Sequence, residues 1–569
     1  MKPPFLVWAP RARRVELERV PSGERVELTP EPGGHFRLET PPDGAYQLRL
    51  DGGPAVPDPR ADDVESVHGP CHRLDHSAFP WTDGGHRWRG LEGAVLYELH
   101  LGTFSPEGNF DGALKKLPLL RDLGITHVEV MPVATFNGAR GWGYDGTALF
   151  APHRAYGGPE AMKRFVDGAH RLELGVLLDV VYNHLGPSGN YLGQFGPYFD
   201  EGRHTPWGAA VNFDGPGSAP VRQFFIDNAL HWLEHYHLDG LRLDAVHAIH
   251  DESALHFLEQ LVGEVTARLP RPALLIAESD LNDPRLVRQR RDHGFGLDAQ
   301  WCDDLHHALH AALTGEGQGY YADFADPLPC LARALDEGYV YQGQPSVFRQ
   351  KLHGRPLGSV PLQRLVGFAQ NHDQIGNRAQ GERLHQLCGI PRARAALTLL
   401  LLGPHTPLLF QGEEWSATAP FQFFTDHQDP QIARATTEGR RRDVGDAVAP
   451  DPQAPQTFAV SRLDWDERKR LPHLQTLELT RMLLKLRAGS ELLQSSTPGR
   501  TTVDAERRIL TYERGPFFYA LNLAARPYDV ALPRGTWVPA LPLLDGARLA
   551  GAGAAVSLDP DSFALFSRA

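Results

Sequence analysis

Between residues 94 and 414 a short apolar run recurs eight times, and nothing else in the chain constrains its fold so tightly. The runs are AVLYELHL (94–101), HVEVMPV (127–133), GVLLDVV (175–181), GLRLDAVH (240–247), ALLIAES (273–279), GLDAQWC (296–302), LVGFAQNHD (365–373) and PLLFQGEE (407–414). Runs this short and this apolar read as strands covered on both faces. The segments between them, such as DGALKKLPLLRDLG, GPEAMKRFVDGAHRLE and VRQFFIDNALHWLEHYH, carry helical periodicity, and LPHLQTLELTRMLLKLRAG follows the eighth run. Eight buried parallel strands alternating with helices specify an α/β fold, the (β/α)8 TIM barrel. A doubly wound parallel sheet uses the same units and is the rival reading.

The flanks speak a different grammar. RRVELERV, ERVELTP, HFRLET and AYQLRL, separated by PSG, PEPGG and PPDG, alternate with period two and predict a small N-terminal β-sandwich. A Pro/Gly/Asp-rich tract over residues 51–90 reads as a connection laid over a neighbouring domain, which puts the boundary near Leu91. The barrel then spans 91–490, with a short loop subdomain at 185–218, and alternation returns over 491–569 as a C-terminal antiparallel β-domain. A chain of 569 residues has room for three such units.

Composition removes several function classes. With 57 basic and 70 acidic residues the net charge is −13, so a general affinity for nucleic acid phosphates is excluded. Four cysteines without a C-x-x-C pair make neither a disulfide framework nor a zinc ribbon. The longest apolar segment, near 395–402, ends at Gly403-Pro404, far short of the ~20 residues of a membrane span. The opening MKPPFLVWAPRARR lacks a signal-peptide core, so a cytoplasmic location is the expectation.

Polar residues collect where barrel enzymes place their chemistry. A charge inside a buried strand is costly except at the C-terminal rim. Four runs end that way: DVVYNH (179–184), DGLRLDAVH (239–247), LLIAESD (274–280) and FAQNHDQIGNR (368–378). Arg242 and Asp244 are two apart on one strand and share a face, so the guanidinium holds the acid ionised and makes Asp244 a candidate nucleophile. Glu278 follows LLIA, an apolar setting that raises a carboxyl pKa and suits a proton donor. Asp373 is a third acid, able to support oxocarbenium-like charge. Any one acid at a strand end also fits a helix cap or a structural ion pair; their convergence with His184 and His372 favours chemistry. Tyr144 and Asp145 lie in the glycine-rich loop GWGYDG, where loop packing is the alternative.

No phosphate-binding G-x-x-x-x-G-K-[ST] loop, G-x-S-x-G elbow or H-E-x-x-H helix is present. The histidine clusters HWLEHYH and DDLHHALHAA fall on amphipathic helices and read as solvated or packing residues rather than metal ligands. No metal and no cofactor is expected, although calcium held by separate loops leaves little trace in sequence.

The four rim motifs resemble the signature regions of the α-amylase superfamily, family 13 of the glycoside hydrolases, in the same order. The resemblance covers the whole chain and implies Asp244 as nucleophile, Glu278 as acid/base and Asp373 as transition-state stabiliser. It implies His184, Arg242 and His372 as inner-site partners and Tyr144 as a stacking tyrosine. Three stretches, HTPWGAAVNFDGPGS (204–218), YQGQPSVFRQKLHG (341–354) and NHDQIGNRAQGERL (371–384), are similar to the trehalose-releasing subgroup of that superfamily. The implied reaction is hydrolysis of the α-1,4 bond beside the terminal trehalose of maltooligosyltrehalose, with release of trehalose and a maltooligosaccharide. A maltooligosyltrehalose synthase is then the functional partner, with no nucleic acid and no membrane involved. Gln374 and Arg378 of the extended fourth motif, with Asp145, join the substrate-binding candidates. On the leaving-group side, Trp207, Tyr320, Tyr321 and Phe348 could form an aromatic wall, with His247 also in reach; core packing is the alternative for each aromatic. Branching and debranching enzymes share the ELH-x-G-x-F and WGY elements and are the competing reading. A non-catalytic amylase-like binding subunit is the alternative of another class, expected to lack one or more of the acids. The loop after the third strand is short, 185–218, which argues against the calcium subdomain of typical amylases.

Overall fold

The computed structural model describes residues 4–445 and 449–569. Its centre is a closed eight-stranded barrel: β1 (Leu96–Leu99), β2 (His127–Val130), β3 (Gly175–Val180), β4 (Gly240–Leu243), β5 (Leu274–Ala277), β6 (Ala299–Trp301), β7 (Leu365–Phe368) and β8 (Thr406–Phe410). Each apolar run supplies one strand. Closure comes from parallel pairing of β8 with β1, which sets Leu96 opposite Leu408 and Glu98 opposite Phe410. That closure excludes the doubly wound sheet.

The strands are shorter than the runs, for a physical reason visible at β4. Residue Ala245 takes a left-handed backbone, φ 39° and ψ 49°, so the ladder stops just after Asp244. A non-glycine residue there costs about 1–3 kcal/mol and is tolerated where the surroundings enforce it.

Alternate side chains of the strands fill the barrel in layers. Toward the N-terminal end the filling is apolar: Leu96, Leu177, Leu274, Ile276, Val366 and Leu408 pack together. One layer nearer the C-terminal end it becomes ionic. Glu98 lies opposite Glu129, and Asp179 opposite Arg242, all four essentially inaccessible.

N-terminal to the barrel, a three-stranded sheet (Phe5–Trp8, Thr29–Glu31, His35–Leu38) faces a larger one built on Val15–Arg19 and Tyr46–Leu50. The strand Phe5–Trp8 precedes the alternating runs of the sequence, and the two-residue strands Ala55–Val56, Asp63–Val64 and Cys71–His72 lie within the tract read as a connection. Phe5–Trp8 pairs with His35–Leu38, distant in sequence, and a two-residue strand carries no visible period. The C-terminal region pairs Arg500–Asp504, Ile509–Arg514, Phe517–Asn522, Ser562–Arg568 and Trp537–Pro539 antiparallel, with a second sheet of three strands beside it. Among the described residues no helix is long and apolar enough to cross a membrane.

Candidate active site

The C-terminal rim of the barrel opens into a cavity of about 700 Å³ lined by Tyr144, Asp244, Glu278, Asp303, His372 and Asp373, among others. Arg242 forms its floor. Its Nη1 lies 2.7 Å from Asp244 Oδ1 and 2.8 Å from Asp179 Oδ2, and its Nη2 is 3.7 Å from Glu278 Oε2. Its guanidinium also stacks 4.3 Å from the centre of the Trp301 ring. Burial opposes the charge of Arg242, but Asp179, Tyr144, Asp244 and Glu278 outweigh it and hold the residue firmly protonated.

The two central carboxylates are fixed differently. Asp244 accepts from Arg242 and, at 3.0 Å, from the amide of Asn183, which gives its carboxyl a defined orientation. Glu278 is oriented by the backbone: the left-handed turn at Ala245 aims that residue's N–H at Glu278 Oε2, 2.6 Å away. Burial pushes the Glu278 carboxyl above its usual range, and neighbouring Asp244 adds to the effect while Arg242 opposes it. A carboxyl oriented by a guanidinium beside one pushed above its usual range by burial is the asymmetry that double-displacement glycoside cleavage needs.

His372 is set by Glu98 of β1, which accepts from the His372 backbone N–H at 3.0 Å and also binds its ring Nδ1. Burial disfavours the imidazolium, yet Glu98 and Asp373 overcome it and raise His372 to about 9. Tyr144 bridges the ring and the barrel interior, with its hydroxyl 2.8 Å from His372 Nε2 and donating to Asp179 at 2.6 Å. The loop can deliver Tyr144 there because Gly143, at φ 101°, sits where a Cβ would lie 2.1 Å from the Pro132 carbonyl oxygen. Asp373 is 3.4 Å from His372 Nε2 and otherwise faces the cavity, its side chain 42% exposed.

The structure brings most of the sequence candidates together. Asp244, Glu278, Asp373, Tyr144, Asp145, His184, Trp207, His247, His372 and Gln374 line one cavity, and Arg242 underlies it. Trp207 stands in the turn of the hairpin Phe199–Thr205/Gly208–Val211, 49% exposed and stacked on His184 at 5.0 Å, so it is not a core residue. Tyr320 and Phe348 also line the cavity. Two candidates fall outside. Tyr321 packs on His310 and reaches the His306 ring, and Arg378 turns away to pair with both carboxylate oxygens of Glu316 at 2.9 Å. Sequence spacing gives no direction for a side chain five residues beyond Asp373, and here the direction is away from the cavity.

Sequence reasoning passed over Glu98, Glu129, Asp179, Asn183, Asp280, Asp303 and Arg349. Asp179 and Asn183 stand within DVVYNH and Glu98 within YELHLG, so a charge inside an otherwise apolar run was the available signal. Burial lifts Asp179 to about 7 and Glu129 far above its usual range. Two groups of potential metal ligands, Asp62/His76/His231 and His86/His170/Asp239, lie away from the cavity. In the second, the imidazoles stack at 3.8 Å and 7°, each directed at its own oxygen of Asp239. Parallel rings cannot converge their lone pairs on one ion, so this is a hydrogen-bonded clamp.

Comparison with known proteins gives a consistent placement. Residues 76–197 match the family model described as alpha amylase, catalytic domain. Over 93% of this chain and 94% of the relative, the sequence is 48% identical to the malto-oligosyltrehalose trehalohydrolase of Arthrobacter ramosus. The enzyme of that name from Mycobacterium tuberculosis (strain ATCC 25618 / H37Rv) is 44% identical over 92% of this chain and 93% of its own. The chain belongs to the malto-oligosyltrehalose trehalohydrolase family. A crystal structure provisionally described as an alpha amylase, from Salmonella typhimurium, superposes on it with a TM-score of 0.90 at 39% identity, covering 99% of this chain and 97% of that one. By contrast, a 1,4-alpha-glucan branching enzyme from Xanthomonas euvesicatoria pv. vesicatoria is 26% identical, with 81% of this chain matched to 66% of its length. The likeness to the two trehalohydrolases therefore extends over more than nine-tenths of the chain.

Proposed function

We propose that this protein hydrolyses the α-1,4-glucosidic bond next to the terminal trehalose of maltooligosyltrehalose, releasing trehalose and a maltooligosaccharide with retention of configuration. The observation that carries the chemistry is the buried Arg242, which reaches toward both Asp244 and Glu278 beneath one open cavity. Asp244, held by that guanidinium and by Asn183, attacks the anomeric carbon. Glu278, whose carboxyl burial pushes above its usual range, gives its proton to the departing trehalose oxygen and then takes one from the incoming water. Asp373, with His372 charged beside it, binds sugar hydroxyls as positive charge develops on the ring. The trehalose side is assigned to Trp207, Tyr320 and Phe348, whose rings border the cavity away from the barrel floor.

A maltooligosyltrehalose synthase supplies the substrate in this reading. A cytoplasmic setting is supported by four cysteines that are all free. The test is one assay with three substrates. The pure protein, incubated separately with maltopentaosyltrehalose, a linear maltooligosaccharide and glycogen, should release trehalose rapidly from the first. Attack on glycogen branch points without trehalose release would reassign it to the debranching class. Proton NMR in the first minutes should show the new reducing end as the α-anomer, and an initial β-anomer would remove the nucleophile role from Asp244.

A further inference from the structure

Asp303 adds a further carboxyl group to the cavity that holds Asp244, Glu278 and Asp373. Asp303 is the first residue of the helix Asp303–Thr314, which begins two residues beyond the end of β6, and its side chain lines the catalytic cavity. Among the described residues no hydrogen-bond donor or cation touches that carboxyl. The charges that act on it most are those of other acids: Glu278 and Asp280 beyond the end of β5, Asp373 beyond the end of β7, and Asp304 on its own helix. The cations of the region are committed elsewhere. Arg242 serves Asp244 and Asp179, and Arg349 pairs with Asp280 at 2.9 Å and Asp323 at 3.4 Å. His307, one turn along the same helix, is held neutral by burial, and Tyr320 borders the acid from the following loop.

We propose that Asp303 is a positioning residue of this hydrolase, a carboxylic acid that donates its hydroxyl hydrogen to a sugar hydroxyl at the cleaved bond. A helix N-terminus favours an anion, but here that influence meets burial and the acids Glu278, Asp280 and Asp373, and these push the Asp303 carboxyl far above its ordinary range. A neutral acid is then the only form of this side chain with a donor to offer. The donor matters because Asp244, Asp280 and Asp373 are acceptors, while each sugar hydroxyl also presents lone pairs that need a hydrogen. The proposal rests on the reading of the previous section, since it places Asp303 on the same bound glucan.

Two substitutions test it. Asp303→Asn keeps a donor in nearly the same place, and should cost about threefold to fivefold in kcat/KM for maltooligosyltrehalose. Asp303→Leu keeps the volume and removes the donor, and should cost about fiftyfold, most of it in KM. The pH profile supplies a readout that a structural role would not move. If Asp303 is already neutral, replacing it with Asn leaves the charge around Glu278 unaltered, so the alkaline limb of kcat/KM stays in place. If Asp303 is an anion, Asp303→Asn removes a negative neighbour, Glu278 loses its proton more readily, and the limb moves to lower pH. A shifted limb, a loss in Asp303→Asn as large as in Asp303→Leu, or a fully active Asp303→Leu would each overturn the proposal. Should Asp303→Leu not fold, the Asn variant and its pH profile still decide. Trehalose release by the wild-type protein is measured alongside, so failure of the function and failure of the Asp303 role are distinguished.

Discussion

At the N-terminal end of the barrel, Asp239 is gripped by His86 at 2.8 Å and His170 at 2.9 Å, while Asp83 is gripped by His170 at 2.9 Å and His237 at 2.8 Å. At the C-terminal end the same residue types meet a different fate. Asp244, Asp179 and Glu278 all draw on one guanidinium, Glu129 has no hydrogen-bond partner among the described residues, and the charges that act most on Asp303 are other acids. The base is a closed network: although burial works against the charge, hydrogen bonds from His170 and His237 bring Asp83 down to about 2, and those from His170 and His86 hold Asp239 still lower. The rim is an open one, where burial wins and lifts Asp179 to about 7. A cluster of titratable side chains is therefore not enough to mark an active site. What marks the rim is incomplete pairing beside a cavity, with strain held in place by the rest of the barrel.

The sharpest way to break this comparison is to neutralise an acid at the rim. Asp244→Asn or Glu278→Gln removes one role in the double displacement with almost no change in volume, and kcat should fall by about three orders of magnitude or more while oligosaccharide binding survives. Folding should not suffer. A small apolar residue in place of Asp244 should be rescued by azide to give product of inverted configuration, whereas rescue at Glu278 should retain it. An Asp244→Asn enzyme with full activity would end the assignment.

The matching experiment at the base is Asp239→Asn, and its effect should appear in stability. Removing one member of a buried ion pair costs about 3–5 kcal/mol, so Tm should drop clearly while kcat of the folded enzyme changes by less than about twofold. The pH dependence carries a sign. Asp239 and Asp83 sit below the ordinary carboxylate range, so their contribution is complete above about pH 4 and is lost as pH falls through their folded values. His170 sits above its ordinary value despite burial, because Asp239 and Asp83 hold its proton, so its contribution is complete below about pH 6.5 and fades as pH rises through its folded value. Asp179 has the opposite sign: raised to about 7, it weakens the fold as pH climbs from about 4 toward 7. The Tm gap between wild type and Asp239→Asn should thus be widest between about pH 4 and 6.5 and should narrow toward pH 2. A gap independent of pH would mean that Asp239 acts through packing alone.

The comparison also explains what could be read from the sequence. The barrel strands were legible because burial on both faces forces continuous apolar runs, and Asp244, Glu278 and Asp373 because they interrupt or end such runs. Glu98, Glu129 and Asp179 also interrupt apolar runs, but the strand register, which sets Glu98 opposite Glu129 and Asp179 opposite Arg242, is what reveals them as one layer. Asp303 was hidden by its helix, since DDLHHALHAA satisfies helical periodicity and its first turn favours acids anyway. The base network was illegible for a topological reason: His86 lies in the linker, His170 near the end of a helix, and His237 and Asp239 in the loop before β4. The cluster HWLEHYH read as packing or solvated histidines, and His231 is buried against the Phe150 carbonyl while His237 belongs to the clamp.

A finer test of the rim concerns Trp207. Being half exposed, it can be removed without opening the core, and it borders the cavity beside His184. A large aromatic face contributes on the order of 1–3 kcal/mol when covered by ligand, and tenfold corresponds to about 1.4 kcal/mol. Trp207→Ala should therefore lose roughly tenfold in kcat/KM for maltooligosyltrehalose, lose less for a linear maltooligosaccharide, and keep its Tm. Equal losses on both substrates would take Trp207 off the trehalose side.

The smallest expected effect separates rim from scaffold at a single residue. Arg378 belongs by sequence to the catalytic motif, yet its guanidinium is spent on Glu316, which also receives His310 at 2.8 Å. The Arg378 hydrogen bonds, with burial opposing and His310 assisting, bring Glu316 down to about 2. Both partners of the pair remain partly exposed, at 23% and 36%, so solvent screens their attraction and the pair contributes about 1 kcal/mol or less. Arg378→Gln should then change kcat/KM by less than about threefold on either substrate and lower Tm slightly. Combining it with Glu316→Gln should lower Tm no further than the sum of the two single changes, because the interaction is already gone after the first. Gln374 and Asn377, which do line the cavity, provide the contrast within the same motif. If Arg378→Gln instead costs tenfold on maltooligosyltrehalose at unchanged Tm, the guanidinium leaves Glu316 when substrate binds, and this arm of the motif belongs to the site after all.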